Sequence, residues 1–452
     1  MAYAGKILKI NLSTGKSEVE PLNRKWAENY LGGKGLAIKY LYEEITPGVD
    51  PLSPDNKLIL MTGPLTGTIV PNSGKLAIAA KSPATNTVLD CSIGGHFAAE
   101  LKYAGYDAVI ITGKAKVPVY IYIEDDRVEL KSAAHLWGKN AHRAELILEK
   151  ELGDAKTILI GQAGENQVIM SCITSEFYRQ AGRGGIGAVM GSKNLKAVAV
   201  KGTGGLKFPE IRKLMREINK IKNEDTLTDD NLWAYSDGTA QLVEACQSIG
   251  TLPTRNFQDG VFEGFERIGT DALKKIRAGK KACFSCPLAC GNYSKAGEAI
   301  VEGPEYETLA LCGSNCGIDD LAAIIEFNRL CDDYGLDTMS TGSVTAFAME
   351  LTEKGIHDFG LRFGDKEAYL KVPRLVALKE GIGADLALGA KAVSEKYGGK
   401  EFAMQAKGLE FPGYEPRGSW GMGLAYATSI RGACHMQAWP IAVEAMGDLD
   451  PF

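Results

Sequence analysis

The chain has 452 residues, 45% hydrophobic and 24% charged, with 53 Gly and 17 Pro. This excludes a mini-protein and a disordered chain, and predicts about three domains of about 150 residues. Lys and Arg total 51 against 56 Asp and Glu, a formal charge of −5, so the basic excess that phosphate-backbone binding needs is absent and nucleic acid is not an expected partner.

Up to about residue 205, short β-branched runs recur between glycines, at 6–10, 58–61, 76–80, 108–111, 119–123, 157–160 and 197–200. Each has strand length and turn punctuation. Helical periodicity is sparse here and is best at 26–30 and 140–152. After a glycine-rich connector at 201–205 the pattern changes, and 211–223, 240–248, 270–277, 321–332, 343–354, 372–379 and 384–397 read as helices. The expected fold is therefore α+β: a β-rich N-terminal base domain, 1–205, followed by a mainly α-helical region, 206–452. Ten cysteines, with no secretory leader and no run approaching the roughly 20 apolar residues of a bilayer span, are expected to be thiols or metal ligands of a cytoplasmic protein without a membrane anchor.

The strongest chemical signal is Cys283-Phe-Ser-Cys286-Pro-Leu-Ala-Cys290, three soft ligands on one loop. Iron–sulfur clusters take four thiolates, commonly a compact group plus a distant one, whereas zinc completed by Cys312 and Cys316, or three unligated thiols, are the alternatives. Two glycine-rich loops, one around Gly94 and Gly95 and one around Gly182, Arg183, Gly184 and Gly185, suit the close approach of backbone N–H groups to an anion, with Arg183 adding a forked cationic contact. Neither matches a nucleotide fingerprint, and tight turns explain them equally well. Polar residues in apolar surroundings form a third set: Glu302, Glu305, Tyr306 and Glu307; Asp332 to Asp337; and Tyr414, Arg417, Arg431 and His435. Pro304 and the residues after Glu307 predict a helix start, which sends Glu305 and Glu307 in different directions, so that only one of them enters a buried site. His435 is a candidate acid or base, or a structural histidine.

Taken in order, Gly-Gly-Lys-Gly at 32–35, Gly-Pro-Leu-Thr-Gly at 63–67, the run from Gly182 to Lys193, the cysteine triplet, Gly-Pro-Glu-Tyr-Glu at 303–307, Asp332-x-x-Gly335-Leu336-Asp337 and Arg431-Gly-Ala-Cys-His435 resemble segments of the aldehyde:ferredoxin oxidoreductase family of tungsten enzymes. The resemblance runs to Phe452. It implies a β-rich base for tungsten held by two pyranopterins, with molybdenum the alternative metal, covered by two helical domains of which the last is incomplete here. It places Lys75, Gly94, Gly95, Arg183, Gly184, Asp332 and Asp337 at the pterins, a magnesium ion between pterin phosphates, and a [4Fe-4S] cluster on Cys283, Cys286 and Cys290. It gives Glu307 the activation of water or a metal-bound oxygen and His435 a hydrogen bond to the aldehyde oxygen, with Tyr306 and Tyr414 lining the pocket. A small aldehyde is the implied substrate, ferredoxin or another electron-carrier subunit the implied partner, and a homodimer or larger complex the implied assembly. The family's second pterin motif, which also supplies the fourth cluster cysteine, is expected beyond Phe452. A related subunit reducing aromatic acyl thioesters and a tungsten-free relay or scaffold are the rival readings.

Overall fold

The computed structural model describes residues 3–208, 210–297 and 299–446; positions 447–452, the end of the region expected to be helical, lie outside the described residues. The chain forms two compact units. The first comprises Met1–Leu232 with the short segments Ala282–Ala289 and Asp332–Gly335, and the second Trp233–Lys281, Cys290–Cys331 and Leu336–Phe452.

The first unit is built on two six-stranded sheets. One contains β1 (Lys6–Asn11), β2 (Lys16–Pro21), β3 (Leu58–Met61), β4 (Leu76–Lys81), β5 (Val88–Ile93) and β6 (Ala108–Thr112), in the order β2-β1-β6-β3-β4-β5. The other contains β7 (Val119–Glu124), β8 (Arg127–Ser132), β9 (Lys156–Leu159), β10 (Ile173–Ser175), β11 (Arg179–Ala181) and β12 (Leu195–Lys201), in the order β11-β10-β9-β12-β7-β8. Strand alternation sorts the side chains into layers. Leu8, Leu60 and Val109 from one sheet share a core with Ile121, Ile158 and Val198 from the other. The opposite residues, Ile7, Ile59 and Ile110, pack on α2 (Gly33–Glu44), which follows α1 (Arg24–Tyr30), while Tyr120, Leu159 and Ala197 pack on Ala144 and Leu148 of a helix spanning Ala141–Leu152. Each such aliphatic side chain contributes about 1.5–3 kcal/mol by leaving water, which is why both faces of each sheet carry apolar residues.

All seven runs read as strands are strands. The sequence pattern did not reveal β5, whose middle is Asp90-Cys91-Ser92, nor α2, whose glycine-rich start reads as a turn. The helix expected at 26–30 begins at Arg24, because Asn23 accepts the Trp26 N–H at 3.0 Å and caps it.

The second unit is mainly helical, and its longest helix wholly within it, Thr338–Glu353, is buried along most of its length. A small sheet, β13 (Arg277–Lys281), β14 (Gly291–Ala296) and β15 (Ala299–Glu302), runs in that order. The helix expected at 384–397 is instead two, Gly383–Leu386 and Gly389–Tyr397, because Gly389 adopts φ +80° and turns the chain between them.

Candidate active site

In the first unit, the cysteine loop is seated against the Gly94–Gly95 loop and the turn that precedes Lys75. β5 delivers Gly94 and Gly95 at its end, and the Gly95 carbonyl accepts the Phe284 N–H at 3.2 Å. The Asn72 N–H donates to Ser285 O at 2.9 Å, and a Cβ on Gly74 would lie 2.8 Å from Phe284 Cβ. A Cβ on Gly94 would lie 2.6 Å from Cys283 Sγ, so only glycine admits the sulfur there. Lys75, Gly94, Gly95, Cys283 and Cys286 are thus drawn into one region, with Lys75 exposed.

The loop at Gly95 does hold an anion, and it is one the sequence reading missed. Glu176 accepts a short bond from the His96 N–H and lies 3.0 Å from His96 Nδ1; a Cβ on Gly95, at φ +87°, would be 2.6 Å from the same carboxylate. The second glycine loop adjoins β5. Cys91 Sγ donates to Arg183 O at 3.1 Å and Ser82 Oγ to Gly184 O at 2.7 Å, and a Cβ on Gly184 would meet Leu89 at 2.6 Å. Arg183 is 5% exposed, a buried guanidinium in a glycine-lined loop.

Asp332 lies in the first unit, accepting a bond from Gln180 Nε2 at 2.9 Å. Beside it, His142 pairs with Asp333 at 2.8 Å and bonds Phe177 O at 2.8 Å. Burial pulls the imidazole pKa down, but the bond to Asp333 and its charge outweigh that and raise it, which favours the protonated ring that donates from both nitrogens. Glu145, three residues along the same helix, accepts the N–H groups of Glu176 and Phe177 at 2.7 and 2.6 Å. Both of those residues are left-handed, at φ 51° and 67°. Glu145 and His142 together hold the turn that presents Glu176. Neither was legible as a site residue, since an isolated Glu and His on a helix carry no motif. Asp337 belongs to the second unit, where it caps Thr338–Glu353 by accepting the Met339 and Ser340 N–H groups at 3.1 and 3.3 Å.

The second unit assembles the expected catalytic set. The short helix Tyr306–Thr308 starts where Pro304 predicted, with Glu305 at its N-cap. Glu305 and Glu307 diverge as expected: Glu305 accepts a short bond from Thr239 Oγ1, whereas Glu307 Oε2 accepts the Gly413 N–H at 2.7 Å. Glu307 Oε1 lies 3.7 Å from His435 Nδ1, an ion-pair distance; the two side chains are 16% and 17% exposed, but these two facing atoms are themselves buried. Tyr306 donates to Gly413 O and stacks on Tyr414 with centroids 5.1 Å apart; Trp439 Nε1 donates to the Tyr414 hydroxyl at 3.1 Å. Burial pushes both phenols well above their ordinary pKa, with Cys246 adding to Tyr306 and Glu307 to Tyr414, so both are neutral. Arg431 donates twice to Cys434 Sγ, at 3.0 and 2.7 Å, fixing the turn before His435. Arg417 is not part of this group; it pairs with Glu415 at 2.8 Å. Gly413, Trp439 and Cys246 were missed because single residues far apart in the chain carry no spacing signal.

The cysteines divide by exposure. Cys283, Cys286 and Cys290 are half-buried and the other seven buried, and none is in a disulfide. Ser285 and Ala289, preceding the second and third, are left-handed at φ 50° and 44°. Cys312 and Cys316 do not complete a zinc site. Both are fully buried, donate to the carbonyls of Thr338 and of Leu311 and Gly342, and have thiol pKa values pushed up by burial. Among the described residues no three His, Cys, Asp or Glu side chains converge on a single metal ion. Three half-buried thiols on a tightly turned loop remain the donor set suited to an iron–sulfur cluster, and buried Arg183 is a cation suited to a phosphate, whereas the space beside Gly94, Gly95 and Gly184 is filled by Cys283, Glu176 and Leu89.

Comparison with known proteins bears on both units. A family model described as the aldehyde ferredoxin oxidoreductase N-terminal domain matches residues 7–202, and one described as its domains 2 and 3 matches 213–452. The tungsten-containing aldehyde ferredoxin oxidoreductase of Pyrococcus furiosus is 45% identical over 98% of this chain and 75% of its own length, and that of Thermococcus kodakarensis 44% over 98% and 75%. The WOR-like subunit of an aliphatic sulfonate oxidoreductase of P. furiosus is 35% identical over 96% and 75%. The solved active-site complex BamBC of benzoyl coenzyme A reductase, bound to 1,5-dienoyl-CoA, superposes with a TM-score of 0.79 at 31% identity, covering 92% of this chain and 67% of that one.

Proposed function

Because this chain belongs to the aldehyde ferredoxin oxidoreductase family and is an oxidoreductase, we propose that it oxidises a small aldehyde to a carboxylic acid at tungsten held by two pyranopterins. The balance is one aldehyde and one water giving one carboxylate, three protons and two electrons. In this reading Arg183, the glycine loops at Gly94, Gly95 and Gly184, Lys75, Asp332 and Asp337 hold the pterins, loop carbonyls hold a magnesium ion between their phosphates, and Cys283, Cys286 and Cys290 hold a [4Fe-4S] cluster. Bound there, tungsten supplies a two-electron acceptor and the cluster a one-electron route to ferredoxin.

The observation that carries the proposal is the Glu307–His435 pair. The Gly413 N–H fixes Glu307 Oε2, leaving Oε1 toward His435 as the atom that takes a proton from water. His435 orients the aldehyde by donating to its oxygen, where negative charge grows. The Tyr306 and Tyr414 rings, stacked and neutral, form an apolar wall that limits water and holds the substrate beside Glu307. Identity of 45% to aldehyde oxidoreductases against 31% to the acyl-thioester reductase complex favours the aldehyde.

The test is aldehyde-dependent reduction of benzyl viologen by anaerobically purified protein from tungstate-supplemented cells. Glu307→Gln is expected to lower kcat about 10²–10⁴-fold while tungsten content stays unchanged. Full turnover in the tungsten-loaded variant would remove Glu307 from the proton transfer, and turnover of an aromatic acyl thioester in place of aldehydes would favour the reductase.

A further inference from the structure

β13 (Arg277–Lys281) is the edge strand of its sheet, and the helix before it ends in Lys274 and Lys275. Lys274, Lys275, Arg277 and Lys280 are thereby gathered on one strip of the second unit, on a chain whose overall charge is −5, while the next residue, Lys281, turns to the other face of the strand and is 14% exposed beside Glu302. Few carboxylates answer them. Asp237 lies 3.3 Å from Lys274 and 4.0 Å from Arg277, Asp271 is 3.7 Å from Lys274, and Glu302 is 3.8 Å from Lys281. An open cleft of about 500 Å³ lies along the strip, lined by Tyr235, Asp237, Lys274, Arg277 and Lys280. Lys274 and Arg277 are 46% and 33% exposed.

This crowding has a cost. Burial, and then the neighbouring Arg277 charge, lower the Lys280 pKa, so the cations repel one another at rest. The strip also lies next to Cys290 within the second unit. Lys281 pairs in register with Gly291, the residue after Cys290, and a Cβ on Gly238 would lie 2.6 Å from Cys290 O, which packs this corner tightly. Concentrated charge of one sign beside a redox centre steers a partner of the opposite sign and raises its rate of encounter.

We propose that this basic edge, from Lys274 to Lys280, is the docking surface for an acidic iron–sulfur carrier protein that collects electrons one at a time. This rests on the function proposed above, in which the cluster on Cys283, Cys286 and Cys290 is oxidised as each carrier molecule is reduced, two carriers per aldehyde. Lysines on an edge strand also deter self-association, and that explanation predicts aggregation, without acceptor selectivity, when they are replaced.

The experiment compares the cofactor-loaded full chain with Lys275→Glu/Lys280→Glu and Lys275→Gln/Lys280→Gln. It uses an acidic two-cluster [4Fe-4S] ferredoxin and benzyl viologen as alternative acceptors, and measures ferredoxin binding separately by calorimetry. At low ionic strength the Glu pair is expected to raise the ferredoxin KM and Kd about tenfold and the Gln pair less. Added salt should shrink the difference, and viologen turnover should be unchanged. An unchanged ferredoxin KM and Kd would overturn the proposal, as would equal losses with both acceptors, aggregation alone, or tight inorganic pyrophosphate binding lost in the variants with no effect on ferredoxin. If the parent chain binds ferredoxin with this charge dependence yet reduces neither acceptor with aldehyde, the docking surface stands and the aldehyde reading fails.

Discussion

Glu307 gains its working geometry from a residue with no side chain. The Gly413 N–H holds one carboxylate oxygen, and a Cβ at position 413 would sit 3.1 Å from that oxygen and 3.0 Å from Ala310 Cβ. Gly413→Ala should therefore push Glu307 out of line with His435. The expected result is a kcat reduced about tenfold, with KM and tungsten content little changed and stability lowered by about 1 kcal/mol; steady-state kinetics with metal analysis and thermal unfolding check it. Glu307, Tyr306, Tyr414 and His435 were legible because each sits in or near a motif. Their pairing was not, since more than a hundred residues separate Tyr306 from Tyr414 and only the fold supplies the 5.1 Å stack. Gly413 was invisible for the opposite reason: its role is an absence of atoms.

At the scale of an element, the helix Ala141–Leu152 shows how much a periodic pattern conceals. Its extent was readable from the apolar spacing, and Asn140 caps it by accepting the Arg143 N–H at 2.8 Å. Its polar contribution, His142 and Glu145 clasping the left-handed turn at Glu176 and Phe177, was not, because the partners belong to distant segments. Burial pushes the Glu145 carboxyl up to about 7 although the Phe177 and Glu176 N–H groups and Thr157 pull it down. The folded protein thus holds this proton more tightly than the unfolded chain, whose carboxyl titrates near 4.5. The stability this provides is complete below pH 4.5 and is lost as pH rises to about 7, by roughly 3 kcal/mol. Glu145→Gln should flatten that portion of the stability–pH curve, measured by denaturant unfolding at intervals from pH 4.5 to 8. An unaltered slope would mean that Glu145 is already ionised in the fold.

On the whole molecule, the strands of the first unit were the clearest part of the sequence; the change between period-two and helical patterning lies near residue 205, whereas the first compact unit continues to Leu232. The finer division was not readable. Ala282–Ala289 and Asp332–Gly335 are threaded into the first unit from otherwise second-unit sequence, because backbone bonds such as Phe284 N–H to Gly95 O and Cys172 N–H to Gly335 O hold them there, and such bonds leave no compositional trace. The cysteine triplet stood out by spacing, and exposure now separates it from the seven buried thiols. The proposed function requires that this scaffold carry tungsten and an iron–sulfur cluster. The most direct measurement is the metal content, by mass spectrometry, of protein purified anaerobically from tungstate-supplemented cells. Tungsten approaching one atom and iron about four atoms per chain are expected, whereas a colourless, folded protein containing neither metal would contradict the account.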